Sequence, residues 1–165
     1  MSPEEASKSL VQDEYAKVEA QAGEHGWASR IQDLGDYYVI YVRIPKPGGR
    51  TFVLRLECDD YPRQPPLARF VDPAGWEDDP HPSDRVEHAA LPVGPYMRND
   101  RGPEPVMCIR GQRDYYAGNW HAGWTNPPSD LDTLYQLVVT VRNAIDSLQN
   151  NGSAPPSPVS KPFGR

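Results

Sequence analysis

Twelve of the chain's 19 prolines fall between Tyr61 and Pro128. Proline fixes φ and supplies no backbone donor, so neither a helix interior nor a central strand can run through that stretch. Long regular elements are thereby confined to the flanks, and most of the middle is expected to be a long loop anchored by side chains. Ordered loops of this length are where binding and catalytic groups concentrate. The 165 residues suffice for one core-forming domain, placed here at 1–150. The closing stretch "NGSAPPSPVSKPFGR" (151–165) reads as a polar, proline-rich, disordered tail.

The N-terminal flank begins with Ser2-Pro3-Glu4-Glu5, a capping box with proline at the first helical position. Val11, Tyr15 and Val18 follow at helical spacing, which predicts a helix from Pro3 to about Ala22, ended by Gly23 and Gly26. Four strands are predicted next: Trp27–Leu34, Tyr37–Ile44, Thr51–Cys58 and Leu67–Val71. Tyr38, Ile40, Val42 and Ile44 share one face. Phe52, Leu54, Leu56 and Cys58 share one too, with Arg55 and Glu57 on the other side. The short connections imply an antiparallel meander. After the proline-rich middle, Ser129 is a candidate N-cap. Leu134, Val138, Val141, Ile145 and Leu148 then form the apolar stripe of an amphipathic helix ending near Asn150.

A net charge of -6 and a pI near 5.2 argue against nucleic acid or an anionic membrane as the main partner. "MSPEEASKSL" has neither the basic nor the apolar segment of a secretory signal, and the apolar run Tyr37–Val42 is too short to span a bilayer. The expected location is the cytoplasm, where the two cysteines stay reduced rather than forming a disulfide.

Those cysteines read differently. Cys58 continues the inward phase of Phe52, Leu54 and Leu56, as a small core residue would. Cys108, in "PVMCIRGQRDYY", belongs to no alternating or helical pattern, and Gly111 permits an exposed turn. Arg101, Arg110 and Arg113 lie near it in sequence, and positive charge raises the thiolate fraction. This makes Cys108 the candidate nucleophile. The competing reading is a buried structural cysteine beside Met107 and Ile109.

Gly48 to Pro73, "GGRTFVLRLECDDYPRQPPLARFVDP", carries Tyr61, Pro62, Pro65, Pro66 and Phe70 in a Tyr-Pro-x-x-Pro-Pro corner between two strands. With the element order and with Cys108, Trp124 and Pro127 ahead of a long helix, the chain resembles the ubiquitin-conjugating enzyme family over roughly residues 3–148. The resemblance implies an α/β (α+β) fold: N-terminal helix, four-stranded antiparallel meander, long irregular active-site loop region and C-terminal amphipathic helix. It further implies an acyltransferase that carries a ubiquitin-like modifier as a thioester on Cys108 and passes it to an amine. The expected partners are the modifier, its activating enzyme and a ligase or protein substrate; no cofactor or metal is called for. By the same analogy the first helix, with Lys8 and Lys17, is a candidate docking surface for the activating enzyme.

The chain departs from the family's His-Pro-Asn motif. His81-Pro82 is followed by Ser83 and lies far upstream of Cys108, while the matching amide at the usual distance is Asn99, in "YMRND". No sequence after Asn150 matches the family's two C-terminal helices. The pattern is closer to bacterial relatives found with ubiquitin-like conjugation or antiphage systems. Asn99 could donate to the oxyanion, or be only a turn residue. His121, in "GNWHAGW", could act as base or donor, or be satisfied by backbone carbonyls. The alternative is a non-catalytic member of the fold that binds a ubiquitin-like protein. A metal-dependent hydrolase on His81, His88 and nearby acids ranks last, because the spacing matches no zinc pattern. Trp120, Trp124, Tyr115 and Tyr116 read as packing that fastens the loop over the last helix.

Overall fold

The computed structural model describes residues 1–45, 50–73, 76, 97–98, 106–117, 123–126 and 128–147. Helix α1 (Pro3–Ala20) opens as its cap predicts. The Glu5 amide donates to the Ser2 hydroxyl at 3.1 Å, and the Ser2 amide donates to the Glu5 carboxylate at 2.6 Å. Its buried residues are Val11, Tyr15 and Val18. The helix stops two residues short of the expected end. One further turn, α2 (Ala22–His25), closes on Gly26 in the left-handed region, at φ 71°. Glycine suits that site because a Cβ there would be strained.

Four strands follow: β1 (Ala28–Asp33), β2 (Tyr38–Pro45), β3 (Thr51–Glu57) and β4 (Leu67–Val71). They pair antiparallel in chain order, with Ile40 opposite Leu56 and Leu54 opposite Phe70. This register puts Tyr38, Ile40, Val42, Ile44, Phe52, Leu54, Leu56 and Cys58 on one face, all within the main core. Helix α3 (Leu134–Asp146) completes that core with Leu134, Leu137, Val138, Val141 and Ile145. Each such fully buried aliphatic side chain stabilises the fold by roughly 1.5–3 kcal/mol relative to exposure.

Three features differ from the sequence reading. First, the sheet is covered on both sides: Val39, Tyr41, Val53, Val71 and Trp76 form a second buried cluster behind it. Five consecutive residues of β2 are therefore buried, as in a strand packed on two faces. On that rear face Arg55 and Glu57 pair at 2.9 Å and are only partly exposed. Second, α3 is capped by Thr133, whose hydroxyl accepts from the Gln136 amide at 3.2 Å, and not by Ser129. Ser129 and Asp132 instead form a turn ahead of the helix. Third, two short strands, β5 (Met97–Arg98) and β6 (Val106–Met107), pair within the expected loop. Two-residue strands are too short to leave a periodic signal. Leu148 and the tail 151–165 lie outside the described residues.

Candidate functional site

Cys108 follows β6 directly and opens a segment laid along β4, one of the two edge strands of the sheet. Edge strands carry unpaired backbone groups, and this segment supplies partners for them. The Arg113 amide donates to the Pro66 carbonyl at 2.8 Å. The Ala68 amide donates to the side-chain oxygen of Gln112, at 3.4 Å. Gln112 is fully buried, so that contact is made away from water. Between them and Cys108, Ile109 enters the main core. Gly111 turns the chain at φ 100°, with Leu137 3.6 Å from where a Cβ would stand.

Charge clamps the segment on both sides. Arg113, in the 3-10 turn Arg113–Tyr116, donates to the Asp59 carboxylate at 2.6 Å and to the Pro65 carbonyl at 3.3 Å. Its neighbour Asp114 pairs with Arg69 of β4. Arg110 grips Asp132 with a two-pronged contact, Nε at 2.7 Å and Nη2 at 3.1 Å. Asp132 also accepts from the Ser129 hydroxyl at 2.8 Å and from Tyr116 at 3.4 Å, and the Tyr116 oxygen accepts from the Gly111 amide at 3.2 Å. Burial would raise the Asp132 carboxyl, but the hydrogen bonds from Arg110 and Ser129 outweigh it and hold it below the usual range.

Beside this segment stands the Tyr61–Pro62 corner, whose peptide bond is cis. Trp124 donates its indole N–H to the Pro62 carbonyl at 2.8 Å and packs against the rings of Tyr61 and Tyr116. Of the aromatic group expected over the last helix, Tyr115, Tyr116 and Trp124 pack on one another, and Trp124 seats on the corner. The Tyr61 hydroxyl lies 2.8 and 2.9 Å from the two oxygens of Glu14 on α1. One of those oxygens also accepts the first amide of α3, Leu134, at 2.8 Å. A carboxylate at a helix N-terminus meets both free donors and the positive end of the dipole. Even so, Glu14 is raised above the ordinary carboxyl value, because burial outweighs those bonds.

The two cysteines part company here. Cys58 is wholly buried in the main core, as expected, and burial drives its thiol far above the ordinary value. Cys108 is 5% exposed and counts among the buried core residues, beside Ile109 at 3%, which corrects the expectation of an open turn. Two of the three arginines expected to activate it pair with carboxylates, Arg110 with Asp132 and Arg113 with Asp59. Lys8 and Lys17 of α1 are likewise engaged: Lys8 with Asp33 and the Tyr38 ring, Lys17 over the Tyr135 ring.

Asn99, Arg101, Trp120 and His121 lie outside the described residues, as do His81 and His88. Among the described residues no cluster of His, Cys, Asp or Glu could hold a metal ion, and no helix is long and apolar enough to cross a membrane. A cleft of about 450 Å³ opens on the far side of the corner, between Pro3, Ser7, Tyr37 and Arg63, and no residue of the Cys108 segment lines it. Sequence reasoning missed Asp132 and Glu14. Glu14 had a signal: it sits at the i+3 position of the Val11–Tyr15–Val18 stripe, where an acid must find a buried partner. Asp132 had only the ambiguous sign of an acid three residues past a serine.

No family model, no curated protein and no solved structure matches this chain. What stands is a mixed α/β domain with an N-terminal helix and a four-stranded antiparallel sheet.

Proposed function

We propose that this chain is a divergent ubiquitin-conjugating enzyme that carries a ubiquitin-like modifier on Cys108. The observation that carries the reading is the placement of Cys108: it heads an irregular segment that Arg113 bolts to the Tyr61–Pro66 corner. The order of α1, meander, corner, cysteine segment, Trp124 and α3 follows the pattern that the sequence resembles.

The reaction is acyl transfer in two steps. The Cys108 sulfur attacks the carbonyl carbon of a modifier held as a thioester on its activating enzyme; a new C–S bond forms and the activating enzyme's thiolate leaves. An amine of the acceptor then attacks the same carbon. A C–N bond forms, the amine gives up a proton, and Cys108 departs as thiolate. Each step passes through an oxyanion, for which Asn99 is the proposed donor, with His121 as proposed base. ATP is consumed upstream, so no cofactor is required. The proposed setting is the cytoplasm, with the modifier, its activating enzyme and a ligase or protein substrate as partners.

The test mixes the protein with modifier, activating enzyme and ATP and runs a non-reducing gel. The expected result is a reducible adduct that is lost in Cys108→Ala and kept in Cys58→Ala. A second reading, a non-catalytic module that binds a ubiquitin-like protein, is favoured by the 5% exposure of Cys108 and by the paired state of Arg110 and Arg113. It predicts modifier binding with no adduct.

A further inference from the structure

We infer that the cleft between α1 and the Tyr61–Pro62 corner is the docking site of the chain's own proline-rich tail, 151–165. This goes beyond the acyl-transfer reading and does not rest on it, since the cleft is a different face from the Cys108 segment.

The cleft measures about 450 Å³, and its walls are mostly apolar, with Leu10, Tyr37 and Pro62 among them. That volume suits a few peptide side chains. Its rim is acidic. Asp59 and Asp60 face Arg113 and Arg63, while Glu4 on the first turn of α1 and Asp36 in the β1–β2 turn stand exposed. An apolar floor under a net negative rim fits a segment that is both apolar and basic. The tail has that composition: Lys161 and Arg165 are its only charged side chains, and four prolines with Phe163 supply apolar surface. Extended proline-rich chain is pre-set by its fixed φ, loses little entropy on docking, and suits grooves with an aromatic wall such as Tyr37.

The tail can reach. Arg142 of α3 donates to the His25 carbonyl at 2.7 Å, so the last turns of α3 lie beside α2, at the far end of α1. The cleft opens on the other end of that 18-residue helix, roughly 27 Å away. From Ser147 to Lys161 the chain covers roughly 40 Å at about 3.1 Å per residue, enough to make the crossing. Tethering holds the tail at an effective concentration on the order of a millimolar, so any other partner of the start of α1 has to displace it.

The test is zero-length carbodiimide cross-linking of the full chain at low salt, read by peptide mass spectrometry on the monomer band. The Lys8–Asp33 ion pair, at 2.8 Å, serves as the internal yardstick. Lys161 is expected to link to Glu4 or Asp36, and salt at about 0.5 M should cut that link severalfold by screening the exposed charges. Isotope-labelled peptide 151–165 at a few millimolar should lower the intramolecular link by about twofold or more. The same peptide carrying K161E and R165E should leave it unchanged. Lys161 links scattered over Glu19, Glu24 and Asp146, with none to Glu4 or Asp36, would overturn the inference. So would cleft links confined to the dimer band, which would make a second copy the occupant.

Discussion

Cys58 and Cys108 stand in two regions held together by different physics. Around Cys58, β2 and β3 present alternate side chains to α1 and α3, and the fold rests on apolar burial. Around Cys108, regular structure is limited to the short β6 and a 3-10 turn, and three ion pairs tie the segment to β4, to Asp59 and to the turn before α3. Apolar burial acts through many small contacts, so it resists local opening. Ion pairs act through a few directed contacts, each of which can be released singly. The same residue type is buried in both settings, within a sheet core in the first and at the head of a charge-clamped segment in the second.

The contrast can be broken or sharpened by substitution, and the largest effect belongs to the core. Leu54→Ala removes a fully buried side chain and should cost about 2–5 kcal/mol of unfolding free energy in urea titration. A loss under 1 kcal/mol would mean that the sheet face is less tightly packed than its burial implies. Next comes Arg113→Ala, which releases Asp59 and the Pro65 carbonyl; partial exposure limits its cost to roughly 1–2 kcal/mol. Its signature should be faster proteolysis within 106–117 at conditions where the core stays protected from hydrogen exchange.

Ser2→Ala removes the cap of α1 and should cost about 1 kcal/mol. Thermal unfolding would read this as a small drop in midpoint with Cys108 labelling unchanged, since the cap touches only the first region. The smallest effect concerns Glu14, which ties α1 to Tyr61 of the corner and to the start of α3. Its folded value is raised, chiefly by burial, so between the unfolded and folded values the folded state holds more protons. Stability from this group is therefore level above the folded value, rises as pH falls through it toward the unfolded value, and levels off below that. Glu14→Gln should remove that slope from urea midpoints measured between pH 7 and 4; an identical slope in both proteins would show that Glu14 stays charged throughout.

How much the sequence disclosed follows the same division. Strands β2 and β3 were legible because their alternation is a local, period-two signal, and α1 because its cap and stripe lie within one window. The rear cluster was not, since nothing local shows what covers Val39 or Val53. Nor were the clamps: Arg113 finds Asp59 from 54 positions away and Arg110 finds Asp132 from 22. An arginine beside a cysteine reads as activating until its long-range carboxylate is known. The start of α3 was misplaced because Ser129 and Asp132 mimic a cap while serving the Arg110 contact, leaving Thr133 to do the capping.

The most direct test of this account is the urea dependence of thiol labelling in the unaltered protein, below the unfolding transition. Opening that exposes little surface has a shallow denaturant slope, and global unfolding has the full one. The account predicts that Cys108 labels with a rate almost independent of urea, while Cys58 labels only with the full slope of global unfolding. Equal, steep slopes at both sites would make Cys108 a second core cysteine and contradict the account.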